Sequence, residues 1–335
     1  MANQAAPRLM ITPGEPGGIG GEILVDAAQA GAKNLITIDD PDRLQQIAAS
    51  KNVKLNHAVV QDINEATNLP AATLAILPIT WAEPPIAGQP SVANAPQVIA
   101  AIKQSAELAK DRQVKAVVTN PIQKSTLYAA GFSAPGHTEY LGELDGGNAR
   151  PVMMLANRYL KVIPLSVHIP LKDVPAAITP DAISTTAHIL EDSLRREFNI
   201  NNPRIMVAGL NPHAGEDGTI GEEEVQIITP TIKSLRAQGM NISGPQSADT
   251  LFHEDRHQDY DAVIAMYHDQ ALIPVKSLDF HGGVNITLGL SFIRTSPDHG
   301  TALDQAGKGS ANPQSLIAAI AMAETMAANR QTHHA

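Results

Sequence analysis

Cysteine is absent from the 335-residue chain. That excludes disulfides, thiolate metal sites and cysteine nucleophiles together, so any metal must be held by His, Asp or Glu. Aromatic residues make up only 3%, which argues against a stacking platform for single-stranded nucleic acid. Basic residues are outnumbered. The formal charge is −10, and Lys and Arg are scattered, leaving no basic face for a phosphate backbone. No run of about 18 apolar residues occurs, as a membrane span requires. The N-terminal "MANQAAPRLMITPG" also has no apolar stretch of signal-peptide length. These absences point to a cytoplasmic, enzyme-sized protein with neither a nucleic-acid nor a membrane partner.

What the chain does have is a 43% apolar fraction drawn from Val, Ile, Leu, Ala and Met, enough for a well-filled core at this length. Short Val- and Ile-rich runs recur: "RLMIT", "NLITI", "TLAILPI", "KAVVTN", "KVIPLSVH", "RIMVAGLN" and "DAVIAMYH". Between them lie helical patterns such as "APQVIAAIKQSAELAKDR", where Val98, Ile99, Ile102, Ala106 and Ala109 follow a 3.6-residue period. "NPQSLIAAIAMAETMAANR" closes the chain as another helix. Strands alternating with helices predict an α/β fold with a largely parallel sheet. The expected arrangement is two α/β/α domains with a cleft between them. The boundaries suggested are 1–130 with 295–335 for the first, and 131–294 for the second.

Three histidines stand at the ends of three expected strands. His168 ends "KVIPLSVH", His213 follows "RIMVAGLN", and His268 ends "DAVIAMYH". Ligands of open α/β sheets bind at the carboxyl ends of strands, so this spacing predicts convergence on one point. Three imidazoles with an open position suit zinc or a similar divalent ion. Asp269, beside His268, either orients a ligand, accepts a proton or caps the following helix. Asp249 in "SADTLF" is open to the same readings.

"MITPGEPGGIGGEI" reads as strand, glycine loop and helix. It does not fit G-x-G-x-x-G, so a standard dinucleotide fingerprint is excluded there. The loop serves either a tight turn or an anion at a helix start. "APGHTEYLGEL" places His137 and Thr138 at a helix start, where Thr138 either caps the helix or meets a phosphate with His137. Lys276, Asn285 and Arg294 add two cations and an amide donor suited to a doubly anionic small molecule. Arg294 follows the apolar "LGLSFI" and is expected to be sheltered.

Taken together, "ITPGEPGGIG", "GHTEYL", "LNPHAGE", "ADTLF", "MYHDQ" and "GVNITLGLSFIRTSPDHGTA" resemble the 4-hydroxythreonine-4-phosphate dehydrogenase family of vitamin B6 biosynthesis, in order from Met10 to Ala302. The resemblance implies a homodimer, with the active site near the interface and one divalent metal (zinc, cobalt or magnesium) on His168, His213 and His268. It places substrate contacts on His137, Thr138, Lys276, Asn285 and Arg294. "HGTALDQAGKGSANP" is similar to the nicotinamide-dinucleotide segment of isopropylmalate dehydrogenases, whose two-domain fold the family shares. That likeness implies His299, Gly300, Asp304 and Asn312 near the adenosine half of NAD+ or NADP+. Two departures stand out. The loop reads "GGIGGE" where many relatives carry proline after "GIG", and "TNPIQKS" varies around Lys124.

The implied reaction oxidises the C3 hydroxyl of 4-phosphooxy-L-threonine by hydride transfer to NAD(P)+, then loses carbon dioxide to give 3-amino-2-oxopropyl phosphate. Asp249, Asp269 and a metal-bound water are the candidate general bases. Rival readings are a sister dehydrogenase acting on threonate or erythronate 4-phosphate or a carboxylated cyclic diol, a metal-dependent hydrolase without a dinucleotide, and a non-catalytic binding module.

Overall fold

The computed structural model describes residues 8–146 and 149–333; residues 1–7, 147–148 and 334–335 lie outside the description. Twelve strands are described: β1 Leu9–Ile11, β2 Leu35–Asp39, β3 His57–Val59, β4 Leu74–Pro78, β5 Ala116–Val118, β6 Val152–Ala156, β7 Lys161–Ser166, β8 Ile205–Ala208, β9 Ile242–Gln246, β10 Ala262–Tyr267, β11 Val284–Leu288 and β12 Arg294–Pro297. The chain divides into two compact units: 1–151 with 290–327, and 152–289 with 328–335.

In the first unit the strands run in the order β3-β4-β2-β1-β5-β12, and their pairings are parallel. Central strands of such a sheet are covered on both faces, so they read as unbroken apolar runs rather than alternations. β1, "LMI", is fully buried at all three positions. The helix Ala95–Lys110 packs on this sheet through Val98, Ala101, Ile102, Ala106 and Ala109, while Ile99 sits at the edge of the stripe. Residues 131–151 belong here as well. Leu141 is completely buried in the same apolar cluster as Val98, Ile102 and Val117, and the rings of Phe132 and Tyr140 meet edge to face at 4.9 Å.

The second unit is mixed. Its order is β11-β6-β7-β10-β8-β9, antiparallel through β11, β6 and β7 and parallel from β7 to β9. β10 is buried from Ala262 to Met266, and the helix His268–Leu278 starts immediately after it. The expected α/β class with parallel strands is therefore present in both units. No helix among the described residues is long and apolar enough to cross a membrane.

Candidate functional site

β7, β10 and β8 are adjacent parallel strands, and just past their carboxyl ends stand His168, His268 and His213. The rings of His168 and His268 lie with centroids 6.0 Å apart. Both line a cavity of about 500 Å³ together with Val167, Tyr267, Asp269 and Ile273. Two imidazoles sharing one ion through nitrogen bonds of about 2.1 Å have ring centres about 5–6 Å apart, so this pair fits a divalent ion. His268 Nδ1 lies 2.7 Å from Asp269 Oδ1. With the proton on Nδ1 it donates to the carboxylate and leaves Nε2 as the ligating atom, the arrangement that fixes metal-binding histidines. Asp269 does not cap its helix: Tyr267 is the N-cap and no side-chain cap bond is made.

His213 does not line that cavity, and among the described residues no group of three or more His, Asp or Glu side chains is poised around one ion. The structure thus brings two of the three expected ligands together and sets the third at the neighbouring strand end. His213 opens a turn in which five successive residues, through Asp217, have left-handed backbone angles, with φ of 54°, 53°, 80°, 42° and 53°. Only Gly215 among them is glycine. Buried Glu224 holds the approach to this turn, accepting from the backbone N–H of Leu210 and of Asn211 at 2.7 Å each and from Asn211 Nδ2 at 2.9 Å. Such strain persists only where the surroundings over-determine it, and it concentrates at functional sites. Asp249, on the helical turn Ala248–Leu251, accepts from the Ser247 hydroxyl, which holds its carboxyl below the usual range; the nearby His213 adds to that. Ser247, not Asp249, occupies the N-cap.

Lys276 and Asn285, also in the second unit, are half-buried. Lys276 Nζ lies 5.8 Å from the centre of the Phe280 ring, and Asn285 sits in β11 opposite Leu155 of β6.

In the first unit, Arg294 is only 3% exposed and donates from Nε and Nη2 to Thr119 Oγ1 at 3.1 and 2.7 Å. Burial pulls its pKa down to about 10, with Glu139 opposing. His137 opens the helix His137–Leu144 and has a buried Nε2 with no hydrogen-bond partner. Burial, then Arg294 and Lys124, push its pKa well below the usual histidine value, so it is neutral near pH 7. Gly136 is the N-cap, which removes Thr138 from the capping role and leaves it in the first turn. Lys124, noticed in the sequence only as a variable stretch, belongs to this cationic group. A Cβ at Gly136 would stand 3.5 Å from its Nζ. The strand-end rule that selected the histidines also points to Lys124, which follows β5 by six residues.

The glycine loop, in the first unit too, packs against backbone from several segments. A Cβ at Gly14 would fall 2.5 Å from the Pro121 carbonyl oxygen, and one at Gly18 would fall 2.9 Å from that of Thr301. Gly21 leaves room for Arg43. A Cβ there would lie 2.9 Å from Nη1 of Arg43, whose guanidinium reaches Asp39 and the Pro16 carbonyl at 2.7 Å each. The stretch expected to meet the dinucleotide is fastened beside this loop: Glu22 accepts from Gly307 and Gly309 N–H, at 2.5 and 3.2 Å. Glu22 was not singled out from the sequence. His299 Nδ1 lies 2.9 Å from the Gly300 carbonyl, while its Nε2 is buried without a partner. Gly300 and Asp304 are exposed, and Asn312 accepts from Gln314 N–H at the start of the helix Gln314–His333.

Comparison with known proteins places these features in a family context. The family model described as pyridoxal phosphate biosynthetic protein PdxA matches residues 31–323. A 4-hydroxythreonine-4-phosphate dehydrogenase of Roseobacter denitrificans is 48% identical over 331 residues, covering 98% of this chain and 99% of its own. The crystal structure of a 4-hydroxythreonine-4-phosphate dehydrogenase from Klebsiella pneumoniae matches with a TM-score of 0.87 at 34% identity, covering 96% of this chain and 100% of its own. A terephthalate 1,2-cis-dihydrodiol dehydrogenase from Burkholderia xenovorans matches with a TM-score of 0.66 at 26% identity, covering 96% and 98%.

Proposed function

The chain belongs to the pyridoxal phosphate biosynthetic protein PdxA family, and from that premise we propose that it oxidises 4-phosphooxy-L-threonine at C3 and releases carbon dioxide from the product. It is an oxidoreductase that uses a nicotinamide cofactor. The C3 hydride passes to the nicotinamide ring of NAD+ or NADP+ and the hydroxyl proton to a base. The bond from C2 to the carboxylate of the resulting β-keto acid then breaks, and the electron pair left behind is protonated at C2 to give 3-amino-2-oxopropyl phosphate.

The observation that carries this reading is the sheltered cation Arg294 beside a neutral His137, in a chain matched almost end to end by dehydrogenases of a phosphorylated hydroxy-amino acid. His137, Thr138, Lys276, Asn285 and Arg294 are assigned to the substrate's phosphate and carboxylate, which they would hold so that C3 is presented to the nicotinamide. A neutral His137 serves as a hydrogen-bond donor to an anion without adding a charge that Arg294 and Lys124 would repel. His168, His213 and His268 would hold one divalent ion (zinc, cobalt or magnesium), whose positive charge stabilises the negative oxygen at C3 in both stages. Asp269 orients His268 through Nδ1. Asp249, held ionised, and Asp269 are the carboxylates offered as base.

His299, Gly300, Asp304 and Asn312 are assigned to the adenosine side of the dinucleotide, and the exposed Asp304 favours NAD+ by repelling a 2′-phosphate. Ile169, Leu171 and Ile273, exposed by 40%, 69% and 62% around His168 and His268, form an apolar surface that supports a homodimer. The likeness to the dihydrodiol dehydrogenase favours a second reading, in which the cations hold the carboxylate of a cyclic diol. Initial rates of dinucleotide reduction decide between the two. 4-Phosphooxy-L-threonine should be turned over, and D-threonate 4-phosphate, D-erythronate 4-phosphate and a carboxylated dihydrodiol should not. Reduction with the dihydrodiol alone would replace the first reading with the second.

A further inference from the structure

The three strand ends that carry the histidines are tied together by side-chain bonds that the reaction itself does not use. Ser166, two residues before His168, donates from Oγ to the Met266 carbonyl at 2.8 Å, which links β7 to β10. Gln270, two residues after His268, accepts from Met266 N–H at 2.7 Å through Oε1. The same amide donates from Nε2 to the Gly209 carbonyl at 2.8 Å, which links β10 to the end of β8. Gly209 is in turn the floor of the left-handed turn, since a Cβ there would fall 2.9 Å from Ala214 Cα. The relay therefore runs from Ser166, two residues before His168, through the residues flanking His268, to the residue beneath the turn that begins at His213.

We propose that Gln270 is a positioning residue that sets the spacing of His168, His268 and His213, with Ser166 as its auxiliary. The inference rests on the reading of these histidines as ligands of one divalent ion. The position calls for glutamine on chemical grounds. One side chain must accept from an N–H and donate to a C=O at once, which neither a carboxylate nor a hydrocarbon does. Asparagine is a methylene shorter and does not span the same two groups. Partners that orient metal ligands from behind act in this way, and their loss weakens metal binding by about 10–100-fold.

Three variants divide the relay. Gln270→Glu keeps the acceptor for Met266 N–H but loses the donor to Gly209, so it cuts only the link to β8. Gln270→Met cuts both links, and Ser166→Ala cuts only the link between β7 and β10. The probe is Co2+ added to the metal-free full chain, read by its visible ligand-field absorption and by titration. The thermal midpoint of the metal-free protein is measured alongside, as is the Michaelis constant for the dinucleotide, whose expected contacts lie elsewhere. Wild type should give a histidine-dependent cobalt spectrum, lost in His168→Ala and His213→Ala. Gln270→Glu and Gln270→Met should bind Co2+ about 10–100-fold more weakly with an altered spectrum, while the dinucleotide constant stays near wild type and the thermal midpoint falls only modestly, as the lost bonds require. Wild-type cobalt affinity and spectrum in Gln270→Glu and Ser166→Ala would overturn the positioning role and leave the histidine site standing. Cobalt binding that survives both histidine substitutions would overturn the ligand reading, and the proposal with it. Should Gln270→Met not fold, the near-isosteric Gln270→Glu still decides the matter.

Discussion

The left-handed turn after β8 makes a prediction of unusual sign. His213, Ala214, Glu216 and Asp217 all carry a Cβ at positive φ, at a cost of about 1–2 kcal/mol each, or about 4–8 kcal/mol for the turn. The three bonds to the Glu224 carboxylate offset this at about 1.5–3 kcal/mol each, a sum of similar size. The turn is thus balanced and responds to small changes. Glu216 has φ 42° and an exposed side chain, so Glu216→Gly removes strain without removing packing. Relief of about 1–2 kcal/mol, less about 0.4–1 kcal/mol for the extra freedom of glycine in the unfolded chain, leaves a net gain of about 0.5–1 kcal/mol. Gly215→Ala runs the other way. Its Cβ would meet Glu224 Oε2 at 2.6 Å, at φ +80°, so it both strains the backbone and displaces the clamp. Hydrogen exchange of the amides from 210 to 221 reads both effects as opening free energies. Slower exchange in Glu216→Gly and faster exchange in Gly215→Ala are expected. Faster exchange in both, as for glycine placed in an ordinary helix, would refute the strain argument.

Arg294→Leu should raise the Michaelis constant for the phosphorylated substrate by about 10–100-fold, the worth of one charge-assisted bond. It also strips the buried Thr119 hydroxyl of two bonds and should lower the thermal midpoint only modestly; a fall in the midpoint with an unchanged Michaelis constant would assign Arg294 to structure. His137 has a folded pKa depressed below its unfolded value of about 6.5, so protonation favours the unfolded chain. Its contribution to stability is complete above that value and is lost as pH falls through it, and His137→Asn should flatten that part of a melting-temperature profile. Arg8, 2% exposed, donates to the carbonyls of Leu35, Ala66, Leu69, Pro70 and Thr73. Arg8→Met strips those carbonyls, several of them buried, of their donor and should cost the first unit about 1–3 kcal/mol in denaturant unfolding. A loss under about 1 kcal/mol would show that water replaces the guanidinium.

Seven expected strands are present because central parallel strands advertise themselves as short apolar runs. Five strands escaped notice: β3, β6 and β11, which are largely apolar, and two whose sequences break that pattern, β9 and β12. β9, "ISGPQ", is an edge strand that tolerates glycine and proline. β12, "RTSP", is fully buried yet polar, because Arg294 and Thr295 spend their side chains on Thr119 and the Ala319 carbonyl. Strand ends were legible for the same reason the strands were, which is why His168, His213 and His268 could be picked out by position alone. The capping alternatives for Thr138, Asp249 and Asp269 were not decidable from sequence. Each turns on which of two neighbouring residues leaves the helix, and Gly136, Ser247 and Tyr267 do so. Lys124 shows only through its place after β5, while Glu22 and Gln270 bond to Gly307, Gly309 and Gly209, all distant in sequence, so composition and periodicity carry no sign of them.

The stoichiometry of a single reaction tests the central claim most directly: carbon dioxide released per reduced dinucleotide formed from 4-phosphooxy-L-threonine by the purified chain, with and without a chelator. The account predicts one for one, abolished by the chelator and restored by a divalent ion. Reduced dinucleotide without carbon dioxide, or turnover indifferent to the chelator, would contradict it.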